Sequence, residues 1–78
     1  MIFTPIVYLL LNANEYDPQM LKDLRSLTGV ENAYALYGVH DIIVKTKTDN
    51  MKKTKAVHDR IRKMKNIKST LTLIAHEE

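Results

Sequence analysis

The sequence predicts an α+β fold with four strands and two helices in the order β-α-β-β-α-β. Two observations predict it. Two stretches carry apolar residues at helical spacing, each opened by capping residues and followed by a Gly or Asn. Four further stretches are β-branched, alternating or continuously apolar, and no linker, repeat or low-complexity segment separates the six elements.

The first strand is "PIVYLLLN", Pro5 to Asn12, with Pro5 at the strand start, where its missing N–H matters least. Ile6, Tyr8 and Leu10 form one face and Val7, Leu9 and Leu11 the other, so this strand is apolar on both sides and belongs at the centre of a sheet. In "YDPQMLKDLRSLTG", Asp17 suits an N-cap and Pro18 the first helical position. Met20, Leu21, Leu24 and Leu27 make its apolar stripe, and Gly29 is placed to end the helix in a left-handed conformation. The second strand, "VENAYALY", sets Val30, Tyr34 and Leu36 against Ala33, Ala35 and Tyr37. After a turn at "GVH", the third strand, "DIIVKTKT", alternates Ile42, Val44 and Thr46 with Ile43, Lys45 and Lys47. The second helix, "DNMKKTKAVHDRIRKMKN", has Met51, Thr54, Val57, Ile61 and Met64 as its stripe, Thr48 or Asp49 as its cap and Asn66 as its stop. "IKSTLTLIAHEE" closes the chain as a strand in which Leu71, Leu73 and Ala75 alternate with Thr70, Thr72 and Ile74. Two right-handed crossovers in this order put both helices on one face of an antiparallel sheet, the ferredoxin-like arrangement.

The 78 residues make one domain. A chain of this size buries only about 60% of its unfolded surface, so a small core usually gains support from disulfides, metal or oligomerisation. The sequence has no cysteine, which excludes disulfides and Cys-based metal sites and fits a reducing compartment. No apolar run reaches the ~18 residues of a membrane span, and the apolar N-terminus lacks the basic region and small-residue site of a signal peptide. Its apolar residues must therefore be covered by the protein itself or by a partner. With helices on one side only, the other sheet face is expected to carry Val7, Leu9 and Leu11 with Ile43 and Ile74. A patch of that kind is rarely left open in a monomer, which predicts a second copy packed on it.

The hairpin "YGVHDIIVKT" and the ending "VHDRIRKMKNIKSTLTLIAHEE" carry a resemblance to the Lrp/AsnC effector domain, also called the RAM domain, over nearly the whole chain. The first is similar to the family's pattern of Gly, two residues, Asp and an apolar strand. The second is similar to its closing helix, short turn and Ser/Thr-rich strand. The resemblance implies a domain that dimerises through its sheets into a dimeric α+β barrel, assembles further into octamers or decamers, and binds an amino acid or similar small molecule where dimers meet. It implies a cytoplasmic module of transcriptional or metabolic regulation that uses no cofactor or metal and works beside a full-length Lrp/AsnC regulator. Family members of full length carry an N-terminal helix-turn-helix. This sequence begins at the first strand, so the resemblance implies a sensor or adaptor without its own DNA reader.

The ligand wall implied by the resemblance is Gly38, Val39, His40 and Asp41 together with Ser69, Thr70 and Thr72. The residue types suit an amino acid. Asp41 can accept from its ammonium, backbone N–H groups near Gly38 can donate to its carboxylate, and threonine hydroxyls can do either. Taken alone, the same residues read as a turn, a strand start and β-formers on an edge. His40 departs from the family, which often has an aromatic there, and this bears on which ligand is bound.

Two other readings compete. The segment from Asp49 to Lys68 holds eight Lys/Arg against two Asp, and Lys52, Lys53, Lys55, Arg60, Arg62, Lys63 and Lys65 could contact phosphates weakly. A charged helix is more often a solvated face, and the third strand lacks the aromatic motif of sheet-based RNA readers, which argues against direct nucleic-acid binding. A dimeric α+β-barrel enzyme would draw on His40, Asp41, His58, Asp59 and His76. Their spacing shows neither a metal-ligand pattern nor a nucleophile motif, so no catalytic role is assigned. His58 borders the stripe of the second helix and reads as a packing residue.

Overall fold

The computed structural model describes residues 6–75. The elements are β1 (Ile6–Ala13), α1 (Pro18–Arg25), β2 (Val30–Ala35), β3 (Ile42–Lys47), α2 (Met51–Arg62) and β4 (Ile67–Ala75). The sheet runs β2-β3-β1-β4, so β1 and β3 are central, and each neighbouring pair is antiparallel. Among the described residues no helix is long and apolar enough to cross a membrane.

Local chemistry places both helices. Asp17 caps α1, its carboxylate accepting from the Gln19 N–H at 2.9 Å, and Pro18 takes the first position. The cap of α2 is Asn50, rather than Thr48 or Asp49, and its side-chain oxygen accepts from the Lys53 N–H at 2.9 Å. Thr48 supports that turn instead, donating to the Asn50 carbonyl at 2.7 Å. Gly29 has the expected positive φ, 94°, but lies three residues past the C-cap Ser26. Asn66, at φ 81°, turns the chain from α2 into β4 and holds the loop after β1. Its carbonyl accepts from the Asn14 N–H at 2.9 Å and its side-chain oxygen from the Glu15 N–H at 3.0 Å.

Both helices pack on one face. Met20 and Leu24 of α1 and Val57 and Ile61 of α2 close over Leu9, Leu11, Ala33, Ile42 and Val44. Met51 is an exception among the stripe residues, being about half exposed (48%).

The open face differs from the one expected. Val7, Leu9 and Leu11 are at 0% exposure in the core beneath the helices, not on the open face. The β1–β3 register explains why. Leu9 pairs with Val44 and Leu11 with Ile42, whereas Leu10 pairs with Ile43 and Tyr8 with Lys45. Directly paired residues share a side, so the lysine-bearing row of β3 draws Tyr8 and Leu10 outward. Ile74 pairs with Val7 and so also lies on the helix side, while Ile43 does lie on the open face. The apolar part of the open face consists of Tyr8, Leu10, Tyr34, Ile43, Leu71 and Leu73, beside Lys45 and Asn32. An irregularity between Val30 and Asn32 turns Val30 to the helix side, where it packs on the core, although Tyr34 faces outward.

Candidate functional site

The β2–β3 connection is tied to the end of β1 through Asp41. The Asp41 N–H donates to the Leu11 carbonyl at 2.9 Å, and its carboxylate Oδ2 accepts from the Ala13 N–H at 2.8 Å. The Leu36 N–H donates to the Asp41 carbonyl at 2.8 Å and closes the loop. The two bonds to β1 bracket Asn12, which pairs with Ser69 of β4. Asp41, Asn12 and Ser69 therefore form a polar row across the hairpin end of the sheet, beside the apolar open face.

Two polar atoms in this region lack partners. Asn12 Oδ1 and His40 Nδ1 are buried and make no hydrogen bond to the described residues. Leaving such atoms unpaired costs on the order of 1–3 kcal/mol each, which a ligand donor can recover. Asn12 was not singled out by sequence, although an amide closing an otherwise apolar strand was the available signal. Gly38, at φ 133°, has open space around it, and Val39 is exposed, so both stand at the hairpin tip.

Thr70 and Thr72 do not join this row. They pair with Leu11 and Leu9 and so lie on the helix side, opposite Ser69. There Arg62 Nε donates to Thr70 Oγ1 at 3.4 Å. Nearby, His58 is almost fully buried, with Nε2 3.3 Å from Thr46 Oγ1, and that hydroxyl donates to the Val7 carbonyl at 2.9 Å. Burial pushes the His58 imidazolium pKa down, the Arg62 charge adds to this, and Asp59 partly opposes it.

Both carboxylates near α2 are paired. Asp49 binds Lys53 at 2.9 Å, a hydrogen bond and charge that hold its carboxyl below the usual range, and Asp59 binds Arg62 at 3.4 Å. Among the described residues no three His, Asp or Glu side chains gather as a metal site, and His76 lies outside those residues.

The fold has known counterparts. The Lrp/AsnC ligand binding domain family matches residues 6–78. The chain is similar to FFRP-DM1, at 32% identity over 92% of this chain and 99% of that one, with a TM-score of 0.81. It is equally similar in sequence to the hypothetical protein PHS023 of Pyrococcus horikoshii, at 32% identity over 97% and 93% of the two chains, with a TM-score of 0.78. AsnC of E. coli superposes with a TM-score of 0.82 at 25% identity, over 95% of this chain but only 52% of AsnC. No curated protein matches the sequence. With one family spanning all but the first five residues and two structures of nearly the same length sharing its fold, the chain belongs to the Lrp/AsnC ligand-binding domain family.

Proposed function

We propose that this domain binds an amino acid at the hairpin end of its sheet and couples that binding to assembly of copies through the open sheet face. The observation that carries the reading is the polar row of Asp41, Asn12 and Ser69, with the unpartnered Asn12 Oδ1 and His40 Nδ1 beside it. An ammonium group fits Asn12 Oδ1 and the second Asp41 oxygen, which has no hydrogen bond to the described residues. A carboxylate fits the Ser69 hydroxyl, on the strand beside Asn12. A more distant protein of the same fold, the transcriptional regulator NMB0573 of Neisseria meningitidis, was solved as an L-Met complex, at 13% identity.

The open face supplies the second half of the reading. Tyr34, Leu71 and Leu73 are each about half exposed, at 52%, 48% and 46%, beside Tyr8, Leu10 and Ile43. Full burial of such a side chain is worth roughly 1.5–3 kcal/mol, so covering the exposed halves contributes about 1 kcal/mol apiece. A second copy offers the same patch and covers all of them at once. A ligand held at the rim of this interface shifts the assembly equilibrium by its differential affinity for the two states. The resulting module would act in transcriptional or metabolic regulation, beside a full-length regulator of its own family.

Calorimetric titration with each of the twenty amino acids tests the site. Saturable binding of a subset in the natural protein, lost in Asn12→Leu, is the result expected. Binding that survives Asn12→Leu unchanged places the ligand elsewhere.

A further inference from the structure

None of the nine residues of β4 is buried, and α2 covers the helix side of this strand only in part, through contacts such as Arg62 Nε to Thr70 Oγ1 at 3.4 Å and the packing of Ile67 on the core. The gap between α2 and β4 is an open groove of about 450 Å³. That lies within the usual size range of small-molecule sites, roughly 300–1,000 Å³. Met51 supplies its exposed apolar surface above the buried Val7, Thr72 one wall and Lys52, Lys55 and Arg62 a cationic rim. Asp59, the carboxylate nearest along the helix, is already paired with Arg62 at 3.4 Å.

His58 lines the same groove, and its hydrogen bonding fixes what it offers a ligand. The single Thr46 hydroxyl proton goes to the Val7 carbonyl, so the contact between Thr46 and His58 requires Nε2 to be the donor. The neutral ring then carries its lone pair on Nδ1, which has no partner among the described residues. A side chain only 4% exposed thus presents an unused acceptor beneath three cations.

We infer that the α2–β4 groove is a second ligand site, suited to a small hydroxycarboxylate. Its carboxylate meets Lys52 and Lys55, its hydroxyl donates to His58 Nδ1, and its aliphatic part lies on Met51 and Thr72. A zwitterionic amino acid fits less well, because its ammonium group would face the same lysines. The groove is on the sheet face opposite the Asn12–Ser69 row, so it does not depend on the amino-acid site.

The test is a titration of ¹⁵N-labelled protein with 2-hydroxyisocaproate, with isocaproate and leucine as controls, followed by amide and imidazole chemical shifts. Saturable shifts are expected along α2, at Thr72 and at the His58 ring, with each control about tenfold weaker. The double exchange Lys52→Glu with Lys55→Glu changes only exposed side chains and should abolish them, while Asp41→Asn should leave them intact. Four outcomes overturn the inference: no saturation at concentrations on the order of 10 mM, equal response to isocaproate, shifts confined to residues 36–41 and Ser69, or binding unchanged in the double variant.

Discussion

Leu9 and the pair Leu71 and Leu73 should fail in opposite ways when truncated. Leu9 is at 0% exposure beneath the helices, whereas Leu71 and Leu73 are 48% and 46% exposed on the open face. Leu9→Ala removes core volume and should cost about 2–5 kcal/mol of folding stability. For a domain of this size, 1 kcal/mol moves Tm by about 4–8 °C, so a fall of roughly 10 °C or more follows. The double exchange Leu71→Ala with Leu73→Ala barely touches the core. It removes four half-exposed side chains from a symmetric interface, at about 1 kcal/mol each. Dimer affinity should fall by about 4 kcal/mol, close to a thousandfold. Light scattering over a dilution series reads the second effect, and circular dichroism melts at high protein concentration read the first. A double variant that keeps its mass at all dilutions, or a Leu9→Ala protein with unchanged Tm, would refute the assignment of faces.

Two further outcomes follow from single positions. The folded pKa of His58 is depressed, so its contribution to stability is present above the unfolded value near ~6.5 and is lost as pH falls below it, where the unfolded chain takes up the proton first. Tm should drop between about pH 7 and pH 5, and His58→Gln should flatten that slope; an equal slope in the variant would assign the loss to other groups. A methyl group at Gly29 would lie 2.6 Å from Val57 Cγ2 at a φ of 94°, whereas one at Gly38 meets open space at a φ of 133°. Gly29→Ala should therefore cost more than Gly38→Ala in urea denaturation, the excess being an overpacking loss of about 1–3 kcal/mol. Equal midpoints would contradict the packing of α2 over the turn that precedes β2.

The element order was readable because its signals are local. Asp17 and Pro18 start α1 through hydrogen-bonding chemistry that needs no tertiary context. The alternation of β3 likewise separates Ile42, Val44 and Thr46 from its lysines. The orientation of β1 was not readable, since it is apolar on both faces and alternation alone cannot say which face meets the helices. Only the pairing of Leu10 with Ile43 decides this, and register is a long-range property. The turn of Val30 onto the core was not readable for a similar reason, since an extra residue in a strand leaves no mark on composition. At the site, resemblance pointed to the hairpin and to β4, and the structure divides that set. Ser69 stands in the row with Asp41, while Thr70 and Thr72 belong to the opposite face. Asn12 became visible only through its unpartnered oxygen.

The proposed function gives Asp41 a second task beside its bond to Ala13, and one substitution separates the two. Asn at this position keeps an oxygen for the Ala13 N–H but removes the charge offered to a ligand ammonium, whereas Ala would also release the hairpin from β1. The decisive measurement is the melting temperature of the natural protein and of Asp41→Asn with each amino acid in turn, with mass followed by light scattering. With ligand at about a hundred times its Kd, the natural protein should gain roughly 10 °C or more and change its assembly. Asp41→Asn should melt normally without ligand and lose that gain. If no amino acid moves the natural protein, or if Asp41→Asn responds equally, the amino-acid site at the hairpin end is contradicted.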